Sequence, residues 1–263
     1  MLELLLIYAV TGALSGTLAG LLGVGGGIII VPALVLAQAL EGVAPTVTMH
    51  LAVGTSLMVI VLTAISSIRA HHRRGAVLWP VVARITPGVV LGTFLGAAIA
   101  DAMSAPLLRA WFGCFALVLA ANLLFGRPPR PQRTLPGGAG LTPVGVVIGA
   151  VSALVGVGGG SMSVPFMAWC NVPLRKAIAT SAAIGFPVAV GGSIGFAFAG
   201  LDDPALPSHA IGYLHLPAGL LVGLTSMLFA PLGARIAHAI DPRWLRYGFA
   251  LLLFSVGVKM LLG

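Results

Sequence analysis

The sequence predicts an all-α polytopic membrane protein, and its composition and apolar segments carry this prediction. Hydrophobic residues make up 59% of the 263 residues and charged residues only 8%, whereas soluble domains carry about a quarter charged residues. Both faces of each long apolar run are apolar, so the alternation of a membrane β-barrel is absent and the spans are helices. Six runs have the length of about 20 residues that crosses a bilayer as a helix: 46–69, 77–100, 105–125, 175–199, 213–238 and 244–262.

An internal repeat is the third observation, and it divides the chain into two related halves. The stretch GVGGGIIIVP at 23–32 returns as GVGGGSMSVP at 156–165. The match extends outwards from these stretches, since Gly16 aligns with Gly149, Thr55-Ser56 with Thr180-Ser181, and GAAIADA (96–102) with GARIAHA (233–239). The predicted units are repeat 1 (1–125), a linker (126–138) and repeat 2 (139–263).

Each repeat begins with two short apolar elements on either side of the glycines. We interpret each pair as a helical hairpin with a glycine tip, followed by three transmembrane helices. The hairpin elements are 2–22 and 28–40 around the tip 23–27, and 140–155 and 161–170 around the tip 156–160.

The positions of the basic residues indicate that the second repeat is inverted relative to the first. Lys and Arg are enriched in cytoplasmic loops, and the inverted arrangement leaves only Arg109 and Lys259 outside. If each tip were a kink in a single crossing, the basic residues would divide almost evenly. The prediction is therefore an integral membrane protein with a cytoplasmic linker and both termini outside. The basic residues predicted to face the cytoplasm are Arg69, Arg73, Arg74, Arg127, Arg130, Arg133, Arg175, Lys176, Arg235, Arg243 and Arg246.

The glycine tips are the predicted substrate site. Inverted repeats are typical of secondary transporters, and non-helical backbone at membrane depth is tolerated only against protein or a watery cavity. Each tip precedes a helix whose N-terminus, with free N–H groups and partial positive charge, suits an anion. Glycine also allows the left-handed backbone angles that direct successive N–H groups at one point. The predicted glycines are Gly23, Gly25, Gly26, Gly27, Gly156, Gly158, Gly159 and Gly160.

Hydroxyl groups and two prolines complete the predicted site. Ser161 and Ser163 fall in the first turn after the second tip, although N-capping alone would explain Ser161. The pairs Thr55-Ser56 and Thr180-Ser181 could donate to an anion or bond back to their own helices. Pro32 and Pro165 are predicted to break the helices near their starts, where a missing N–H costs little.

Three titratable or charged residues are candidates for anion attraction or coupling. Arg84 lies inside the predicted span 77–100, where it either snorkels to the cytoplasmic surface or attracts anions at a vestibule. His50 either couples protons or is an interfacial residue, and Arg175 occupies the matching position in repeat 2. Cys114 and Cys170 are isolated in apolar segments and are interpreted as small buried residues, so no disulfide, metal or cofactor is predicted.

The chain resembles the sulfite exporter TauE/SafE family of membrane transporters, also described as organosulfur and sulfite permeases. The resemblance is carried by GLLGVGGGIIIVPAL (20–34), ALVGVGGGSMSVPFM (153–167), AVGTSL (52–57) and AIATSA (177–182). It implies transport of small anions such as sulfite, organosulfonates or related carboxylates across the bacterial inner membrane.

The function expected from these features is secondary transport and not enzymatic catalysis. Export by alternating access is favoured, and an anion channel or an uptake permease for a sulfur-containing anion are the alternatives. The expected partners are a small anionic substrate and membrane lipid, without nucleic acid, and a homodimer is one open form of assembly.

Overall fold

Ten helices and one short β-hairpin make up the part of the chain that the structure describes. A computed structural model describes residues 2–22, 26–126, 134–137, 140–237 and 242–262; within these, the side chains of 2–3, 20–22, 234–237 and 242–246 are not described. The predicted linker 126–138 therefore lies largely outside the described residues. The elements are α1 (Leu2–Leu22), α2 (Gly27–Leu40), α3 (Pro45–Arg73), α4 (Trp79–Asp101), α5 (Ala105–Phe125), α6 (Leu141–Val155), α7 (Gly160–Trp169), α8 (Leu174–Ala199), β1 (Ala210–Ile211), β2 (Leu214–His215), α9 (Leu216–Ala237) and α10 (Pro242–Leu262).

The long helices confirm the prediction of an all-α polytopic membrane protein. Five helices of the described chain are long and apolar enough to cross a membrane, namely α3, α4, α5, α8 and α9. The sixth predicted span corresponds to α10, whose described apolar part is Tyr247–Leu262. Many large apolar side chains are exposed on the outer surface, including Phe125 at 83% and Leu228 at 74%. Exposure of so much apolar surface to water is unfavourable, so we interpret this surface as the one in contact with lipid.

Two sequence predictions about single residues are wrong. Pro32 and Pro165 lie inside α2 and α7, and both helices continue through them. Each proline lies in the second turn of its helix, where its missing N–H removes one intrahelical hydrogen bond but does not end the helix.

The two cysteines differ in burial, because Cys114 is exposed and Cys170 is buried. The exposed thiol lies on α5 near exposed apolar side chains such as Trp111 and Val118, and lipid is a suitable solvent for such a weak donor.

The first helix of each half packs closely on the fourth helix of the other half. A Cβ atom added to Gly16 in α1 would lie 2.2 Å from the carbonyl oxygen of Ser226 in α9. The same atom added to Gly149 in α6 would lie 2.2 Å from the carbonyl oxygen of Val89 in α4. Small residues allow membrane helices to approach at backbone distance, where van der Waals contact replaces the hydrophobic effect. Two equivalent interfaces therefore join the halves.

The third helices of the two halves lie side by side and run in opposite directions. Gly54 in α3 packs against Phe196 in α8, whereas Leu57, further along α3, packs against the earlier residue Gly192. The fifth helices have the same relation, because α5 and α10 meet through Gly113 with Leu261 and through Leu117 with Gly257.

Candidate functional site at the glycine tips

The two glycine tips meet in the interior of the protein. A Cβ atom added to Gly27, at the start of α2, would lie 2.3 Å from the carbonyl oxygen of Gly156 and 3.0 Å from the Cα atom of Val157. Only glycine permits this approach of one main chain to the other. Gly26 and Gly156 also have φ angles of 71° and 68°, in the left-handed region that favours glycine. The contact therefore depends on glycine in both halves.

The second tip is enclosed on all sides. Gly156, Gly158, Gly159 and Gly160 are buried, and Val157 between them is 0% exposed. In the first tip Gly27 is buried and Gly26 is partly exposed, while Gly23 and Gly25 lie outside the described residues.

Both tips lead into helix N-termini at the positions expected from the sequence. The Gly26 carbonyl accepts hydrogen bonds from the N–H groups of Ile29 and Ile30, and the Gly159 carbonyl accepts from those of Met162 and Ser163. Among the described residues, no acceptor is found for the preceding N–H groups of Gly27, Ile28, Gly160 and Ser161. Such N–H groups at helix starts are the ones that bind anions in other proteins.

Three buried serines surround the second tip. Ser56 Oγ donates to the Gly156 carbonyl oxygen at 2.8 Å, which joins α3 of the first half to the tip of the second. Ser163 Oγ lies 2.7 Å from the Gly159 carbonyl oxygen and 2.7 Å from Ser181 Oγ. A hydroxyl has one hydrogen, so if Ser163 donates to the carbonyl, Ser181 donates to Ser163. Ser161 is partly exposed and makes no comparable contact among the described residues.

Thr55 and Thr180 form equivalent hydrogen bonds between the halves. The backbone N–H of His215, which precedes α9, donates to Thr55 Oγ1 at 2.9 Å. The backbone N–H of Leu78, which precedes α4, donates to Thr180 Oγ1 at 3.0 Å. Each hydroxyl therefore accepts from the residue immediately before the fourth helix of the other half.

The three charged or titratable candidates lie away from the tips. His50 is 4% exposed, and its Nε2 lies 2.9 Å from the carbonyl oxygen of Ala100 and 3.1 Å from that of Met103. A donor there satisfies carbonyl groups at the C-terminal end of α4, so His50 is buried in a helix cap and is not a free interfacial residue. Arg84 and Arg175 are both exposed, whereas the tips are buried.

A polar cluster at one end of the molecule was not predicted from the sequence. Tyr8 in α1 donates from its hydroxyl to Glu41 Oε1 at 2.5 Å, and His215 Nε2 lies 3.2 Å from Glu41 Oε2. The three residues line a cavity of about 630 Å³ together with His209 and apolar side chains. Their only sequence signal is that an acid and a histidine are rare in so apolar a chain. They are far apart in sequence, so no motif spacing connects them.

Comparisons with known proteins identify the family. The model of the sulfite exporter TauE/SafE family matches residues 8–260. The chain belongs to this family. The resemblance carried by the glycine motifs is thereby confirmed.

Curated relatives of this TauE/SafE protein are named as transporters. A "Probable membrane transporter protein" of Haemophilus influenzae is 33% identical over the full length of both chains. One of Methanocaldococcus jannaschii is 30% identical over 99% of this chain and 97% of its own. The protein YunE of Bacillus subtilis, also a "Probable membrane transporter protein", is 31% identical over 74% of this chain and 78% of its own. No solved structure matches. The family and these names indicate a membrane transporter and not an enzyme.

Proposed function

We propose that this TauE/SafE protein is a secondary transporter that exports small anions such as sulfite, organosulfonates or related carboxylates across the bacterial inner membrane. The observation that carries the proposal is the buried contact between Gly27 and Gly156. At this point the tips of both halves bring helix N-termini into the protein interior. The anion is bound there by backbone N–H groups, because they offer partial positive charge without an ionised side chain.

The two halves act as inverted repeats about an axis in the membrane plane. The antiparallel contact of α3 with α8, and of α5 with α10, supports this arrangement because equivalent helices of parallel repeats would run in the same direction. The matched packing of α1 on α9 and of α6 on α4 supports a two-fold relation. Inverted halves around a central site are the usual basis of alternating access in transporters.

The charge at the two ends supports the orientation. The end that carries Glu41, Asp101, Asp202 and Asp203 faces outward, and the end that carries Arg73, Arg74, Arg175 and Lys176 faces the cytoplasm. A membrane potential that is negative inside favours anion export by about 2.3 kcal/mol per charge per 100 mV.

Serine hydroxyls assist the N–H groups at the second tip. Ser56, Ser163 and Ser181 lie within hydrogen-bond distance of tip carbonyls or of each other. Their hydroxyls reorient easily, so a bound anion can accept from them in place of the carbonyl oxygens. Thr55 and Thr180 stay engaged with the opposite half, where they transmit movement of one half to the other.

Counterflow in proteoliposomes tests this function at Gly159. The nearest atoms to a Cβ atom there belong to Ile184, Val188 and Gly185, at 3.4, 3.5 and 3.8 Å, which is ordinary contact. Gly159→Ala is therefore tolerated, and Gly159→Leu fills the space beside the tip. We expect radiolabelled thiosulfate or sulfite counterflow in the parent protein and a loss of about tenfold or more in Gly159→Leu, equivalent to about 1.4 kcal/mol.

The matched control is Gly248→Leu, because nothing lies within 4 Å of a Cβ atom at this exposed glycine. It should keep full counterflow and the same elution profile in detergent. Undiminished counterflow in well-folded Gly159→Leu contradicts the site, and saturating flux without counterflow indicates a channel.

Membrane topology is tested separately. A reporter fused after Asp203 should report the outside, and a cytoplasmic signal overturns the inverted arrangement.

A further inference from the structure

The cluster of Tyr8, Glu41 and His215 has the features of a proton-binding site. Tyr8 comes from α1, Glu41 from the loop after α2, and His215 directly precedes α9. The three side chains line the cavity of about 630 Å³. Tyr8 and His215 are 4% and 5% exposed, and the Glu41 side chain is 17% exposed. A carboxylate in such apolar surroundings requires hydrogen-bonding or charged partners, and each oxygen of Glu41 has one.

The hydrogen bonds define where the protons are in this state. Glu41 accepts from the Tyr8 hydroxyl at one oxygen and faces His215 Nε2 with the other. The backbone N–H of Ala218, in the first turn of α9, donates to His215 Nδ1 at 3.3 Å. Nδ1 is thus an acceptor without a proton, and Nε2 carries the hydrogen that points at Glu41. The histidine is neutral, and Nδ1 is the position open to one more proton.

We propose that Glu41 and His215 bind a proton that is coupled to anion transport. This inference rests on the proposed transport function and adds the coupling ion to it. The proton enters from the cavity, and the neutral histidine and ionised glutamate become an ion pair when it binds.

A route for the coupling leads from the cluster to the tips. Protonation of Nδ1 turns the acceptor for the Ala218 N–H into a donor and places positive charge at the N-terminus of α9. Both changes destabilise the first turn of that helix. The backbone N–H of the same His215 is bonded to Thr55, and the next residue, Ser56, donates to the Gly156 carbonyl oxygen at the tip contact. Proton binding therefore disturbs an element that is bonded to the anion site.

The titratable groups around His215 set the pH at which the proton binds. Tyr8 faces it from α1, Glu41 from the loop after α2 and His209 from the segment before β1. From α3, Thr55 accepts from the backbone N–H of His215, and the His50 ring lies 5.0 Å from that of Tyr213, two residues before His215 in the chain. Burial lowers the pKa of His215 below its usual value, the charge of His209 lowers it further and the Glu41 carboxylate opposes both. Proton binding is expected below about pH 6.5, the ordinary value for histidine.

The first experiment observes the proton directly and does not depend on transport. Spectra of ¹⁵N-histidine-labelled protein in nanodiscs are recorded over pH, and the His215 signals are assigned by their loss in His215→Gln. We expect a neutral Nε2–H tautomer that titrates below about pH 6.5, and Glu41→Gln should lower this pKa by removing the carboxylate. A His215 that is charged at neutral pH, or whose pKa is unchanged by Glu41→Gln, overturns the proposal.

The second experiment measures coupling in proteoliposomes with thiosulfate, which stays ionised in this pH range. A pH gradient should drive thiosulfate accumulation in the parent protein. Glu41→Gln and His215→Gln should each lose the response to the gradient and keep thiosulfate counterflow. His209→Gln is the matched control, because His209 lines the same cavity without a described hydrogen bond to Glu41, and it should stay coupled.

The outcomes separate the two proposals. Absence of any thiosulfate or sulfite flux contradicts the transport function. Counterflow that is indifferent to the pH gradient in the parent protein overturns proton coupling and leaves transport intact. A gradient response that survives both Glu41→Gln and His215→Gln also overturns the assignment of the site.

Discussion

The two ends of the molecule share a backbone design and differ in side-chain chemistry. At one end the His215 N–H donates to Thr55, and at the other the Leu78 N–H donates to Thr180, at 2.9 and 3.0 Å. The first end adds a glutamate, a tyrosine and a histidine ring around a cavity. At the second end an apolar leucine takes the place of His215, and the alignment that pairs Gly16 with Gly149 places Leu141 opposite Tyr8.

This difference separates what maintains the architecture from what gives the ends their function. The contacts that both halves repeat involve glycines, carbonyl groups and threonine hydroxyls, all of which are neutral. The buried cluster of Tyr8, Glu41 and His215 lies at one end, and the residue equivalent to His215 at the other end is the apolar Leu78. An inverted repeat needs matched packing in both halves, but a transporter that moves its substrate in one direction benefits from ends that differ in chemistry.

The largest expected effect is the loss of either close helix interface. Gly16→Leu and Gly149→Leu each place side-chain atoms against a backbone carbonyl that a Cβ atom would approach to 2.2 Å. Overpacking of this kind costs about 3 kcal/mol or more because backbone cannot move aside. Thermal unfolding in detergent should show similar large losses for both variants and none for Gly248→Leu. Tolerance of one variant alone would break the equivalence of the two interfaces.

A smaller effect is expected at the two threonines. Thr55→Val and Thr180→Val keep the shape of the side chain but remove the acceptor of a backbone N–H that is buried at Thr55 and partly buried at Thr180, which costs about 1–3 kcal/mol. Thr55→Ser and Thr180→Ser retain the hydroxyl and should recover most of the stability. The measurement is thermal unfolding of all four variants. Val variants as stable as the parent would show that these hydrogen bonds do not join the halves.

The smallest expected effect is a pH dependence that belongs to one end. Burial lowers the pKa of His215 in the folded protein, so the unfolded chain binds the proton more readily. Its contribution to stability is present above about pH 6.5 and is lost as the pH falls towards the folded pKa. We expect this loss to appear as a lower melting temperature at acidic pH. His215→Gln should remove this part of the pH dependence, whereas Leu78→Gln at the other end should leave it in place.

Most of the helical architecture could be predicted from the sequence. The expected starts of the tip helices near residues 28 and 161 are observed at Gly27 and Gly160. Apolar length determines a transmembrane helix locally, because each helix satisfies its own backbone hydrogen bonds. The effect of Pro32 and Pro165 was predicted less well, since local propensity disfavours a helix that the surrounding packing maintains.

The candidate site also has features that could be predicted from the sequence and features that could not. The glycine tips were evident because the motif is repeated, and repetition is a property of sequence. The partners of Thr55 and Thr180 were not evident, because each hydroxyl accepts from a residue more than a hundred positions away. The contact of His50 with the end of α4 was also missed, because its carbonyl partners at Ala100 and Met103 lie 50 and 53 positions away in the sequence.

The sequence by itself determined that this chain is a membrane protein of repeated helical halves with paired glycine tips, since these follow from hydropathy, length and repetition. Only the tertiary structure decided that Gly27 rests on Gly156 and that Glu41 meets Tyr8 and His215. The physical reason is that hydropathy acts residue by residue along the chain. A hydrogen bond or a close backbone contact instead requires two distant segments to be within a few ångströms of each other, and that proximity is created by the packing of the helices.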